Sequence, residues 1–214
     1  MRVATFNVHH CEGRDGRIDI ERVASAIDGF EADLVALQEL DRNRPRSGDV
    51  DQPARLSELL GREVHFFPTV ERGGGYGLGL IAEGAERLRF ASLPEVGEVE
   101  PRGLVTCDWR GVTVLATHLA RDEASRRLQT THLAEVATDA GPPVLLLGDL
   151  NQTRRSLGPL IAAGFHVPRA RRPTVRLSQI DHILPGPGLA LRALWTAAPG
   201  VSDHLALVGD LEAL

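Results

Sequence analysis

The chain has 214 residues, of which 43% are hydrophobic and 25% charged, and its formal net charge is −5. These proportions are ordinary for a globular protein and exclude an intrinsically disordered or membrane-embedded chain. The acidic balance argues against a protein that coats nucleic acid through bulk charge. It does not exclude a nuclease, because carboxylates that hold divalent cations count as negative until the metal binds.

Strand and helix signals alternate along the chain, and several strand signals are adjacent, which predicts one mixed-sheet α/β domain over residues 1–214. Apolar residues recur at helical spacing in the first helix. Helices are expected at residues 20–30, 52–60, 122–139 and 157–163. Strands are expected at residues 2–8, 33–39, 64–67, 77–82, 88–93, 103–109, 112–118, 144–148, 178–184, 189–195 and 204–208. Arg110 and Gly111 predict a tight hairpin turn.

The cellular compartment and the oligomeric state are expectations that rest on signals the sequence lacks. Two cysteines, Cys11 and Cys107, are too few for a disulfide scaffold and are typical of a reducing compartment. Residues 1–8 run directly into a strand pattern without an apolar leader. The longest apolar run, residues 144–147, is far shorter than the roughly 20 residues of a transmembrane helix. We therefore expect a cytoplasmic monomer without a transmembrane segment.

Polar residues cluster where the predicted strands end or begin. They are Asn7, Glu39, His118, Asp149 with Asn151, Asp181, and the pair Asp203–His204. Taken singly, each is most simply a turn former or a solvated strand end. Strand ends are also where open sheets present sites to solvent, so the whole set predicts one site.

The residue types in this set suit phosphoester hydrolysis. Glu39, Asn7 and Asp203 offer the oxygen ligands that Mg²⁺ or Mn²⁺ prefers. The reaction also needs a positioned water, stabilisation of a charged transition state and often a histidine paired with a carboxylate. Those roles fall to the remaining members, namely His118, Asp149, Asn151, Asp181 and His204.

Seven short motifs occur in a fixed order: TFNV at 5–8, LQE at 37–39, YG at 76–77, THL at 117–119, GDLN at 148–151, QIDHI at 179–183 and SDH at 202–204. Each is weak alone, but together they span nearly the whole chain. In this order the sequence resembles the endonuclease/exonuclease/phosphatase superfamily, which includes pancreatic deoxyribonuclease, abasic-site endonucleases, inositol polyphosphate 5-phosphatases and sphingomyelinases.

This resemblance implies a four-layer α/β sandwich, with two packed mixed β-sheets flanked by helices. It implies Glu39 as the principal ligand of Mg²⁺ or Mn²⁺, assisted by Asn7, with Asp203 near the same site. Whether one or two metals act, and which residue activates the water, stays open.

The resemblance also implies roles in the reaction itself. Asp149 and Asn151 would orient the attacking water and the phosphate, and His118 would donate a hydrogen bond to a phosphate oxygen or the leaving group. Asp181 would polarise His204. In-line displacement at phosphorus is the expected chemistry.

Two positions depart from the family pattern. Leu78 follows Tyr76-Gly77 where many relatives carry asparagine, so a polar contact near the phosphate is expected to be missing. His9 stands where some relatives place an acidic residue, and it is a substitute metal ligand, a substrate contact or a residue that only lines the cleft. A soft-metal site of His9, His10 and Cys11 is not expected, because adjacent residues on a strand point to opposite faces and no partner motif is present.

Substrate contacts are expected from His9, Tyr76 and several arginines. Arg154–Arg155 and the loop at residues 169–172 form either a phosphate-binding rim or a solvated basic surface. Arginine forks match phosphate oxygens, so the rim prediction names Arg154, Arg172 and also Arg102.

The substrate class stays open at this stage. A phosphodiesterase or nuclease acting on DNA or RNA is the first expectation, and an enzyme acting on a small-molecule, phosphoinositide or lipid-headgroup phosphate is the alternative. A non-catalytic binding module is a third possibility. It predicts the loss of at least one core polar residue, whereas all of them are present.

Overall fold

The computed structural model describes residues 1–169 and 171–214. Its four α-helices are α1 (Ile20–Asp28), α2 (Gln52–Leu60), α3 (Glu123–Ala140) and α4 (Gly158–Ala162). Its strands are β1 (Arg2–Asn7), β2 (Leu34–Arg42), β3 (His65–Val70), β4 (Gly75–Ala82), β5 (Glu86–Ser92), β6 (Gly103–Trp109), β7 (Val112–His118), β8 (Val144–Asp149), β9 (Asp181–Pro185), β10 (Leu189–Ala197) and β11 (Ala206–Ala213). Each predicted helix and strand has a counterpart of the same kind.

The strands form two mixed sheets. One has six strands in the order β10-β11-β1-β2-β4-β3, and the other has five in the order β5-β6-β7-β8-β9. Within them β1 runs parallel to β2 and β7 parallel to β8, whereas the other neighbours are antiparallel. The prediction of mixed sheets is confirmed.

Three apolar clusters separate the layers. Side chains of both sheets, including Trp109 and Leu147, pack between the sheets. Helix α1 turns Val23 and Ile27 onto the outer face of the six-stranded sheet. Helix α3 buries Leu133 against the outer face of the five-stranded sheet. The order helix, sheet, sheet, helix is the predicted four-layer sandwich. No helix in the described part of the chain is long and apolar enough to cross a membrane.

Strand register brings polar residues together at one edge. In the five-stranded sheet His118 lies opposite Asp149, and Asp149 lies opposite Asp181. In the six-stranded sheet Asn7 lies opposite Gln38 at the end of the parallel β1–β2 pair. Asn7 Nδ2 also lies 3.1 Å from Asp149 Oδ2, so the two sheets present these polar ends to each other.

Several predicted element boundaries are wrong, and three of them change the setting of Glu39, Asp181 and His204. Strand β2 does not end at Glu39 but continues to Arg42 through a bulge, in which Glu39 has a left-handed φ of 63°. Asp181 begins β9 instead of lying within a strand. His204 precedes β11, which begins at Ala206. Bulges and turns depend on pairing with distant strands, and local residue patterns do not encode that pairing.

Gly148 is required by the close approach of two strands beside the site. Its φ is 151°, and a Cβ atom there would collide with the carbonyl oxygen of Thr117 on β7. We expect Gly148→Ala to lower the free energy of unfolding by about 3 kcal/mol, from backbone strain and overpacking. Urea denaturation measures this. Gly84→Ala is the matched control, because Gly84 also has positive φ but no atom lies within 4 Å of its Cβ position. An equal cost at both positions would contradict the steric argument.

Candidate active site

The side-chain amide of Asn7 joins the two sheets at the polar edge. Its Nδ2 donates to Glu39 Oε1 at 2.8 Å and to Asp149 Oδ2 at 3.1 Å, and its Oδ1 accepts from the backbone N–H of His9 at 3.1 Å. Asn7 is 1% exposed. Two carboxylates thus converge on one amide group.

His118 is held as a neutral hydrogen-bond donor. The guanidinium of Arg102 lies 2.9 Å from Nδ1, and because a guanidinium can only donate, Nδ1 accepts and the ring proton lies on Nε2. That Nε2 is 3.5 Å from Asp149 Oδ2 and 4.0 Å from Glu39 Oε1. Burial and the positive Arg102 hold the pKa of His118 well below its usual value. The imidazole is therefore uncharged at neutral pH, and its Nε2 lies nearer to the Asn151 amide nitrogen, at 3.1 Å, than to either carboxylate.

His204 and Asp181 form a buried pair on the other side of Asp149. His204 Nδ1 is 2.9 Å from Asp181 Oδ2, and its Nε2 is 3.8 Å from Asp149 Oδ2. Burial opposes the charged imidazolium, but the carboxylates of Asp181, Asp149 and Asp203 outweigh it and raise the pKa of His204 to about 9. His204 is therefore a cation at neutral pH.

Asp149 lies at the centre of these groups. Burial, followed by the charge of Asp181, raises the pKa of Asp149 far above that of an exposed aspartate. The backbone N–H of Asn151 donates to Asp149 Oδ1 at 2.8 Å. The Asn151 side chain donates to the Leu119 carbonyl oxygen at 2.9 Å and lies 3.1 Å from His118 Nε2. A carboxylate with a raised pKa among fixed donors can exchange a proton near neutral pH.

The predicted metal ligands lie on one side of this cluster. The Glu39 side chain is 21% exposed and faces the buried Asp149 across the Asn7 amide. Asp203 is 54% exposed, and its Oδ1 lies 3.9 Å from His9 Nδ1. Carboxylate oxygens are the donors that Mg²⁺ and Mn²⁺ prefer, and the carboxylates of Glu39 and Asp149 meet at the Asn7 amide. These carboxylates fit such an ion, whereas Asn7 turns its nitrogen towards them and would offer its oxygen only after the amide group turns over.

The histidines at residues 9 and 10 do not lie on a strand. Residues His9–Cys11 form a short 3₁₀ turn in which both histidines have left-handed φ values of 47° and 43°, and their ring centroids are 4.4 Å apart. One ring nitrogen of each lies within 4.8 Å of a Glu39 carboxylate oxygen. The geometric objection to their sharing an ion is therefore wrong. Cys11 is different, because it is buried in the core and burial raises the pKa of its thiol.

Two predicted substrate contacts, Arg102 and Tyr76, lie inside the protein, as does Leu78. Arg102 is 6% exposed and pairs with Glu100 at 2.9 Å, so it supports His118 from behind. Tyr76 is also 6% exposed, and burial raises the pKa of its phenol. Leu78 packs in the core between the sheets.

The arginine loops surround a cavity of about 400 Å³. Arg154, Arg155 and Arg171 line it together with Thr153, Val167, Pro168, Gln179 and His182. Arg172 is held elsewhere, since its Nε donates to the Leu194 carbonyl oxygen at 2.8 Å. Within the predicted loop at residues 169–172, Ala170 lies outside the described residues.

Two residues without a predicted role help to build the site. Ser202 Oγ donates to the backbone oxygen of Asn7 at 2.8 Å and accepts from the His204 N–H at 3.2 Å, so it ties β1 to the His204 turn. Its place in the SDH motif is a signal that could have found it. Glu100, which holds Arg102, has no comparable signal in the sequence.

A family model described as "Endonuclease/Exonuclease/phosphatase family" matches residues 4–204, which is nearly the whole chain. The chain belongs to the endonuclease/exonuclease/phosphatase family. Members of this family are generally hydrolases of phosphate esters. The predicted family membership is confirmed.

Solved structures of the endonuclease/exonuclease/phosphatase family and of named enzymes share the fold. A family member from Beutenbergia cavernae is 24% identical with a TM-score of 0.79, covering 100% of this chain and 71% of that chain. An AP endonuclease from Archaeoglobus fulgidus is 18% identical with a TM-score of 0.75, covering 100% of both chains. The human Nocturnin catalytic domain is 19% identical with a TM-score of 0.71, covering 100% of this chain and 94% of that chain. No curated protein matches the sequence.

Proposed function

We propose that the protein is a divalent-metal-dependent phosphodiesterase that cleaves nucleic acid by in-line attack of an activated water. The observation that carries this proposal is the position of Asp149. Its carboxylate lies among an amide donor from Asn7, a neutral imidazole of His118 and a cationic imidazole of His204. A base beside fixed hydrogen-bond donors and a cation can activate a water and stabilise the negative charge that develops on a phosphoryl group.

Each side chain then has a chemical role. Asp149 accepts a proton from the attacking water, for which its raised pKa is suited. The neutral His118 donates a hydrogen bond to a phosphate oxygen, and the His204 imidazolium, oriented by Asp181, stabilises the negative charge that develops there.

The metal role is assigned to one side of the same cluster. Glu39, with Asn7 and Asp203, would hold Mg²⁺ or Mn²⁺. A bound divalent cation supplies neutralisation of phosphate charge and a lower pKa for its water.

Nucleic acid is proposed as the first substrate class. The AP endonuclease from Archaeoglobus fulgidus has the same fold and coverage of both chains. Arg154 and Arg155 follow Asn151 in sequence and line the arginine cavity, where they suit backbone phosphates.

A small phosphorylated molecule is the second candidate. The arginine cavity has a volume of about 400 Å³, which is within the range of small-ligand pockets. It combines three arginines with the apolar Val167 and Pro168, and this lining suits an anionic group and an apolar body. None of the lining residues belongs to the Asp149 cluster, so the cavity would hold a part of the ligand other than the reacting phosphate.

A substrate panel separates the two candidates. Purified protein is incubated with Mg²⁺, with Mn²⁺ and with EDTA, on duplex DNA, abasic-site DNA, single-stranded RNA, inositol phosphates and sphingomyelin. We expect cleavage of a nucleic acid that is lost in EDTA. Arg155→Ala should raise KM for the true substrate, whereas Arg87→Ala, at an exposed position on the distant strand β5, should not. If the protein hydrolyses only the small phosphate esters, the second candidate replaces nucleic acid as the proposed substrate class.

A further inference from the structure

His10 carries a buried nitrogen that the proposed reaction does not use. The residue is 8% exposed, and its Nδ1 has no hydrogen-bond partner among the described residues. Its Nε2 lies 3.1 Å from Glu12 Oε2. A buried acceptor without a hydrogen-bond partner lowers the free energy of unfolding by about 1–3 kcal/mol. A ligand bound to this nitrogen would restore that stability.

Glu12 decides which nitrogen of His10 is free to bind. An ionised carboxylate only accepts hydrogen bonds, so Nε2 carries the ring proton and Nδ1 presents its lone pair. A neutral imidazole whose second nitrogen donates to a carboxylate is the usual arrangement of a metal-binding histidine.

The neighbours of His10 complete a donor set. One nitrogen of His9, one of His10 and one carboxylate oxygen of Glu39 lie within 4.8 Å of one another. Donors bound to a single ion at about 2.1 Å are at most about 4.2 Å apart, so only a small closure is needed. The His9 side chain is 35% exposed and free to make that adjustment.

We propose that His9, His10 and Glu39 form a metal position that takes a first-row transition ion, such as Co²⁺ or Zn²⁺, in preference to Mg²⁺, with Glu12 as the positioning residue of His10. Two imidazoles and one carboxylate suit these ions, whereas Mg²⁺ favours oxygen donors and retains its waters. This site deepens the proposed function, on which it rests through Glu39.

Calorimetric titration of the full chain with Co²⁺ and with Mg²⁺ tests the site, together with the visible absorption of bound Co²⁺, which reports nitrogen ligands. The variant His10→Asn keeps a residue that tolerates positive φ. It should weaken Co²⁺ binding at least about tenfold, alter the Co²⁺ spectrum and leave Mg²⁺ binding unchanged. His132→Ala, which removes a histidine on the outer face of α3, is the control and should change neither ion.

Two variants of Glu12 separate positioning from folding. Glu12→Ala should weaken Co²⁺ binding by about tenfold or more, which is typical of lost support for a ligand. Glu12→Gln keeps an acceptor oxygen for Nε2–H and should restore most of that affinity. Unchanged Co²⁺ affinity and spectrum in His10→Asn and Glu12→Ala would overturn the proposal.

The same titrations distinguish this site from the proposed function. If the native protein binds Co²⁺ through His10 but hydrolyses no phosphate ester with any ion, the proposed function fails and the site stands. If Mg²⁺-dependent hydrolysis is found but Co²⁺ binding is the same in His10→Asn as in the native protein, the proposed function stands and the site fails.

Discussion

Asp149→Asn is expected to lower kcat by about 10³-fold or more, because an amide cannot accept a proton from the attacking water. The substitution also replaces one acceptor oxygen with an NH2 group, which then faces the Asn7 amide or the Asn151 N–H as a second donor. The free energy of unfolding should therefore fall by about 1–3 kcal/mol, the usual cost of an unsatisfied buried group. Steady-state hydrolysis of the substrate found in the panel, beside urea denaturation, measures both quantities.

The matched control is Asp139→Asn, the same substitution at an exposed position in the last turn of α3. It should leave kcat unchanged. If a folded Asp149→Asn protein retains more than about a tenth of native kcat, Asp149 is not the general base.

His204→Ala is the second large effect, and kcat should fall by about 10²–10³-fold, the usual loss for one transition-state donor. The reason is the charge of the ring, which Asp181 maintains across a 2.9 Å contact. This variant also leaves the Asp181 carboxylate buried without its partner, which costs about 3–5 kcal/mol of stability. Activity must therefore be measured at a temperature where circular dichroism shows the variant folded.

His204→Gln separates the loss of chemistry from the loss of folding. Its amide N–H can still donate to Asp181, so it should be more stable than His204→Ala yet nearly as inactive. His132→Ala serves as the surface control. Native kcat in a folded His204→Gln protein would contradict the role of the imidazolium.

Sequence patterns predict the kind of each helix and strand because burial imposes simple periods. Helix α1 shows this well, since Val23 and Ile27 recur at helical spacing and both are fully buried. The buried strand β8 is equally clear as an apolar run before Asp149. Boundaries that depend on partner strands are not predictable in this way. Glu39 sits in a bulge of a continuing strand, and only pairing with β4 creates that bulge.

The central residues of the site follow from motifs, but their environment does not. Strand-end positions bring His118 opposite Asp149, as the motif order leads one to expect. The inward direction of Arg102, by contrast, depends on Glu100 and on the placement of His118. The left-handed turn at His9, His10 and Cys11 also cannot be predicted from the local sequence, because these residue types do not favour positive φ values. Such strained backbone is maintained by the surrounding fold.

The most direct test of metal-dependent hydrolysis at this cluster uses bis(p-nitrophenyl) phosphate, a phosphodiester that needs no recognition beyond the reacting group. The native protein and Glu39→Gln are compared with Mn²⁺, with Mg²⁺ and with EDTA. We expect release of p-nitrophenol by the native protein with metal, none in EDTA, and a loss of about 10²-fold or more in Glu39→Gln, a typical cost of removing electrostatic stabilisation. Native turnover that persists in EDTA, or that is unchanged by Glu39→Gln, would contradict the account.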